Sequence, residues 1–264
     1  MPQPVTHRRT ATAAALSAAL LLTLTACGGD GGEPVRSAGN AEPQADLTVL
    51  AAASLTDVFK AAGAAYEKAH PGTEITFSFA GSQELVAQVR QGAPADVLVT
   101  ADARSMAGVR GETGEPTVIA KNRLVIATGE GNPKKVRGLK DLADPALKVV
   151  LAAPEVPAGT YSRKILDAQG IAVKPVSQEP SVRAVLSKVE LGEADAGLVY
   201  KTDAGSAPGK VDTVDIPDAQ NAIAEYPAAA LTSSKNSAAA EAFVTWLSGP
   251  EARKILKEAG FQQP

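Results

Sequence analysis

The chain has 264 residues, 45% of them apolar and 21% charged, with 26 basic against 29 acidic side chains. That balance belongs to a globular chain and excludes a disordered one, while a near-neutral charge and 4% aromatics argue against nucleic-acid binding, which needs a basic stripe or stacking platforms. One cysteine and two histidines exclude an intrachain disulfide and leave too few ligands for a zinc site built from these types.

The N-terminus reads as an address. His7-Arg8-Arg9 is a short positive region, and residues 11–24 follow without a charge. That stretch falls short of the roughly 20 apolar residues of a spanning helix and suits a secretion signal. It ends Leu24-Thr25-Ala26-Cys27, which resembles the bacterial lipobox, where cleavage precedes the cysteine and the thiol receives a diacylglycerol. Residues 1–26 are therefore expected to be a lipoprotein signal peptide, Cys27 the lipidation site and 27–45 a flexible linker. The Gly- and Pro-rich run 28–45 would span roughly 20–25 Å as coil and hold a folded domain off a membrane. The expected location is extracytoplasmic, anchored to the cell membrane.

From Asp46 onward strands and helices alternate. Residues 47–51 form a short apolar run, read as a buried strand. Leu55, Val58, Phe59, Ala62 and Tyr66 recur at helical spacing. Residues 75–79 alternate as a strand, Leu85, Val86 and Val89 mark a helix, and 97–99 a third strand. A longer extended segment covers 117–128. A second set follows: a strand over 148–152, a helix through Tyr161 and Ile165, a helix through Val182, Val185 and Val189, and a strand over 196–200. A second long extended segment covers 222–232. Two helices close the chain, with Pro250 suited to a first turn and Gly260 to a helix end. Alternation of this kind predicts an α/β fold with helices on both sheet faces. Two long segments bracketing a middle set predict two lobes joined by two crossing strands. One lobe would hold 46–122 plus 229–264 and the other 123–228, with a ligand cleft near the carboxyl ends of the strands.

The informative residues sit where strands hand over to helices. Ser54 followed by Asp57 has the spacing of a capping box. Gly81-Ser82, Pro157-Ala158-Gly159-Thr160 and Pro180-Ser181-Val182-Arg183 open three further helices. Each helix start leaves backbone N–H groups unpaired and carries the positive end of a macrodipole. Two readings stand at each: a plain helix cap, or an anion site. They are compatible, since a serine oxygen can accept from an amide while its hydrogen points at a ligand. Tyr200, at the end of an apolar strand, reads on its own as a core residue with a hydrogen-bonded hydroxyl.

Seven motifs, in order, carry a resemblance that runs from Leu47 to Phe261. They are Ala51-Ala52-Ala53-Ser54-Leu55, Phe79-Ala80-Gly81-Ser82, Gly92-Ala93-Pro94-Ala95-Asp96, Val156-Pro157-Ala158-Gly159, Ser181-Val182-Arg183, Gly197-Leu198-Val199-Tyr200 and Glu225-Tyr226-Pro227. They resemble those of the molybdate-binding proteins of ABC importers, within the type II periplasmic binding proteins. The resemblance implies a two-lobed α/β fold of two mixed or parallel sheets flanked by helices. It implies high-affinity binding of molybdate, with tungstate, and delivery to an ABC transporter permease. Another tetrahedral oxyanion such as sulfate is the alternative. In the family two serines from one lobe grip the oxyanion, and the other lobe supplies backbone amides and a tyrosine hydroxyl. The matching positions are Ser54 and Ser82, the amides of Ala158 and Val182, and the hydroxyl of Tyr200. No direct metal ligation, cofactor or enzymatic activity is implied, and the expected state is a monomer. One departure is visible: Gly81 stands where the family often carries another serine.

Other signals carry less. Residues 205–210 mimic a phosphate loop, but the spacing is one residue short and Val211 replaces the required Ser or Thr. Residues 129–133 read as a turn. Asp96 reads as a strand start, Asp102 as a helix cap and His70 as an exposed helix end. No Ser-His-Asp constellation is credible with His70 so placed.

Overall fold

The structure, a computed structural model, describes residues 45–264. The signal peptide, Cys27 and linker residues 27–44 lie outside the described residues, and Ala45 already opens the first strand. In order the elements are β1 (Ala45–Ala52), α1 (Thr56–Ala69), β2 (Thr73–Ala80), α2 (Ser82–Arg90), β3 (Val97–Val99), α3 (Ala103–Ala107), β4 (Thr117–Gly129), β5 (Val149–Ala152) and α4 (Pro157–Ala168). Then come β6 (Ser177–Glu179), α5 (Val182–Glu190), β7 (Ala196–Tyr200), α6 (Lys201–Gly205), β8 (Val211–Asp215), β9 (Ile223–Ala230), α7 (Ser237–Leu247) and α8 (Pro250–Glu258).

The strands run in the order β2-β1-β3-β9-β4-β7-β5-β6, with β8 also on β4. β1 is parallel to β2 and β3, and β5 is parallel to β6 and β7. β4 is antiparallel to β9 over its first half and to β7 and β8 over its second. One continuous strand thus belongs to two sheets, both mixed. On the return, the chain leaves β8 through a 3-10 turn, Asp218–Gln220, and enters β9 at Ile223. Asn221 pins that return to β4: its Oδ1 accepts from Leu124 N at 3.2 Å and its Nδ2 donates to Leu124 O at 2.8 Å.

β1 is central and buried on both faces, which explains its near-continuous apolar run. Leu47, Val49 and Ala51 pack with Phe59, Tyr66 and Phe243 on one side. Leu50 packs with Leu85, Leu98 and Met106 on the other. The first sheet therefore carries a hydrophobic layer on each face, as the helical spacing predicted. Pro250 occupies the first turn of α8. Gly260, at φ +91°, ends the helix, with Phe261 N donating to Leu256 O at 3.0 Å. Asp102 caps α3 through Ser105 N at 2.7 Å. No described helix is long and apolar enough to cross a membrane.

Candidate functional site

The five predicted oxyanion-site residues lie at or after the carboxyl ends of strands. Ser54 sits in a 3-10 turn, Ala53–Leu55, between β1 and α1 and is 3% exposed. The capping-box reading fails here. Ser54 makes no cap hydrogen bond, and its Oγ lies 3.0 Å from the Tyr226 hydroxyl. The inserted 3-10 turn moves the start of α1 to Thr56, so Ser54 no longer stands where a cap would. Asp57 turns instead to Arg183.

Ser82 is the first residue of α2, and its Oγ accepts from Ala101 N at 3.0 Å. That bond uses an oxygen lone pair and leaves the hydroxyl hydrogen free. Gly81 precedes it in extended geometry, and a Cβ there would collide with Pro180 O across the cleft. The departure from a serine run thus coincides with a close backbone approach.

On the opposite wall α4 begins with Pro157, which has no N–H, so Ala158 supplies the first amide of that helix. Gly159 is required next: a Cβ would strike the carbonyl oxygens of Ala152 and Ala153. α5 is capped by Ser181, which accepts from Ala184 N at 3.2 Å. The cap takes the third amide and leaves that of Val182, in the first turn, without an intrahelical partner.

Tyr200 ends β7 and is 1% exposed. Its hydroxyl is buried and has no hydrogen-bond partner. Burial above all, then the neighbouring Tyr226 and Tyr161, raises its pKa well above the ordinary phenol value. It is therefore a neutral donor throughout the physiological range. Buried polar groups are almost always paired, so an orphan of this kind asks for a partner.

Ser54, Gly81, Ala158, Ser181, Val182 and Tyr200 line one cavity of about 10 Å³. That is far below the roughly 300–1,000 Å³ of sites for organic ligands. Ser82 is not on its wall; it follows Gly81 at the start of α2. Among the described residues lining the cavity, none carries a charge. The site is thus a small neutral cage with hydrogen-bond donors from helices that start on two different sheets.

The sequence profile of the bacterial extracellular solute-binding proteins matches residues 47–262. The chain belongs to this family. It is 42% identical to the molybdate-binding protein ModA of Mycobacterium tuberculosis, over 94% of this chain and 96% of that one. It is 31% identical to ModA of Escherichia coli, over 85% of this chain and 92% of the relative. The fold is similar to that of the periplasmic molybdate-binding protein of Azotobacter vinelandii, with a TM-score of 0.74, 24% identity and coverage of 83% and 99%.

Sequence reasoning missed part of this solute-binding protein's site. Arg183, next to Val182, donates from Nε to Asp203 at 2.7 Å and reaches Asp57 at 2.7 Å with its other edge. Asp203 is fully buried. Burial raises its pKa to about 6 against the pull of Arg183. One Asp203 oxygen, Oδ2, stays unpaired. Tyr226, in the Glu225-Tyr226-Pro227 motif, was quoted without a role. Its only sequence signal was membership of a motif. Most of the set-aside signals behave as read. Asp96 is used by Thr48 N and Ser234, residues 129–132 form a turn, and Val211 opens β8. His70 ends α1 as read, but it is half-buried rather than exposed, with its ring stacked on Tyr66 at 3.9 Å.

Proposed function

We infer that this solute-binding protein binds molybdate, and tungstate with it, outside the cytoplasm and delivers it to an ABC transporter permease. The observation that carries this reading is the buried Tyr200 hydroxyl without a partner, at a cavity lined by no charged residue. A molybdate dianion is a tetrahedral acceptor that carries no proton near neutral pH. The hydroxyls of Ser54, Ser82 and Tyr200 and the amides of Ala158 and Val182 offer it donors only. The helix starts add positive potential without a cationic side chain. Each hydrogen bond to a charged group contributes about 1.5–3 kcal/mol. Desolvation and ordering offset part of that sum, so it does not convert directly to affinity. Kinship to proteins named for molybdate, at 42% identity, supports the choice of ion. A binding role without catalysis, as a monomer and without a cofactor, is part of the reading.

Residues 46–122 with 229–264 form one lobe in this reading and 123–228 the other. Donors from both favour the closed state, which is a population shift with a physical cause. Lipidation at Cys27 would tether the domain to the membrane, a reading supported by Leu24-Thr25-Ala26-Cys27. The test is a thermal-shift titration with molybdate, tungstate and sulfate. At a hundredfold excess over Kd, binding adds about 2.7 kcal/mol of stability. A melting temperature indifferent to saturating molybdate would overturn the assignment.

A further inference from the structure

We propose that Tyr226 is a positioning residue that fixes the direction of the Ser54 hydrogen, turning it toward a bound oxyanion that has no proton of its own. The proposal rests on the reading of the cavity as an oxyanion site. Tyr226 lies on β9, is 0% exposed, and holds its hydroxyl 3.0 Å from Ser54 Oγ. Either oxygen can be the donor. If Ser54 donates to Tyr226, its lone pairs face the cavity and repel an anion. The Tyr226 hydrogen then also needs another buried acceptor. If Tyr226 donates, Ser54 accepts from it and its own hydrogen is free to meet the ligand.

Burial decides between the two. Ser54 Oγ is the hydrogen-bond partner of the Tyr226 hydroxyl, and a buried O–H left without an acceptor costs about 1–3 kcal/mol. Asn122, 1% exposed on β4, is engaged elsewhere: its Oδ1 accepts from Arg123 N at 2.9 Å and its Nδ2 donates to Thr202 Oγ1 at 2.8 Å. The phenol hydrogen therefore goes to Ser54, whose own hydrogen is left for the ligand. The resulting chain runs from Tyr226 through Ser54 to the ligand, with both hydrogens pointing one way. Such chains polarise one another. Ser82 uses the same device with a different donor, since Ala101 N occupies its oxygen and frees its hydrogen. Both serines are thus set as donors before the ligand arrives.

The Tyr226 ring meets Tyr200 at 5.9 Å and Phe261 at 5.4 Å, both edge-on, and Tyr226→Phe keeps that packing. The experiment is calorimetry with sodium molybdate on the full chain. It compares wild type, Tyr226→Phe, Ser54→Ala, Ser82→Ala and the two double variants that combine Tyr226→Phe with each serine change. Ligand-free melting temperatures are read in the same series. Tyr226→Phe should weaken binding by roughly 5- to 30-fold. The double variant with Ser54→Ala should bind no worse than Ser54→Ala alone, because Tyr226 acts through Ser54. The double variant with Ser82→Ala should lose the product of the single effects. Wild-type affinity in Tyr226→Phe, or multiplicative losses with Ser54→Ala, would overturn the proposal and leave the molybdate reading standing. A wild type that fails to bind molybdate would remove both.

Discussion

The Arg183 guanidinium lies 2.7 Å from Asp57 Oδ2, joining the start of α5 to the start of α1 across the cleft. The two helices follow strands of different sheets, so on the proposed two-lobe reading the contact exists only while the lobes are together. Arg183 is held from behind by Asp203, whereas Asp57 is 56% exposed in its side chain. An ion pair with one exposed partner is discounted by solvent and salt, to about 0–1 kcal/mol. Asp57→Asn should therefore weaken molybdate binding by no more than about fivefold, through faster dissociation, and the difference should shrink at high salt. Stopped-flow dissociation at two salt concentrations checks this. A variant that releases molybdate at the wild-type rate in low salt would show that the pair does not bear on closure.

Asp203 gives a pH dependence with an unusual sign. Its folded pKa, about 6, is above the ordinary carboxylate value of 3.8 because burial penalises the charge. Between these values the folded state holds a proton that the unfolded state has lost. Stability from this group therefore rises as pH falls from about 6 toward 4, and the penalty is fully present above 6. Relative to Asp203→Asn, wild type should gain stability over that window. Urea unfolding of both proteins across it is the measurement, and parallel curves would show that Asp203 is not strained.

Much of the fold was legible because its signals are local. The buried run of β1 and the terminal Tyr200 of β7 fall where apolar periodicity put them. The short elements carried no such signal. β6 reads Ser-Gln-Glu, and β8 reads Val-Asp-Thr-Val-Asp, without strict alternation and largely exposed. The site was legible through motif order rather than chemistry. Ser54-x-x-Asp57 spells a capping box whether the hydroxyl meets an amide three residues on or a phenol 172 residues away. The partner that decides between them, Tyr226, is brought in by sheet pairing. No window of sequence contains that pairing. Arg183 likewise reads as a helix-surface cation until α1 and α6 place carboxylates on both its edges.

Tyr200→Phe should separate affinity from stability. The hydroxyl is buried and makes no hydrogen bond to the protein, so removing it breaks no intramolecular bond and removes a desolvated group. Ligand-free stability should stay level or rise, by up to about 1–3 kcal/mol. Molybdate affinity should fall by the loss of one charge-assisted bond, about 1.5–3 kcal/mol or roughly 10- to 150-fold. Calorimetry and thermal melts on the same samples test both halves. Unchanged affinity would mean that the hydroxyl does not face the ligand, whatever the melts show.

The cage should discriminate by proton count as well as size. The oxygens of Ser54, Ser82 and Ser181 each have a hydrogen-bond partner: Tyr226, Ala101 N and Ala184 N. No carboxylate lines the cavity among the described residues. Phosphate near neutral pH, a mixture of monohydrogen and dihydrogen forms, carries at least one proton that needs an acceptor there. Only a hydroxyl oxygen can meet that proton, and in doing so it gives up its own donation to the ligand, at a cost of about 1–3 kcal/mol or roughly 5- to 150-fold in Kd. Sulfate escapes this argument because it carries no proton, so only the size of the cage can disfavour it. Phosphate rejection should also survive Tyr200→Phe, since that change adds no acceptor. Competition calorimetry with molybdate against phosphate and sulfate, on wild type and Tyr200→Phe, decides the matter. Phosphate binding as tightly as molybdate would mean that an acceptor faces the ligand and that the cage is not built of donors alone.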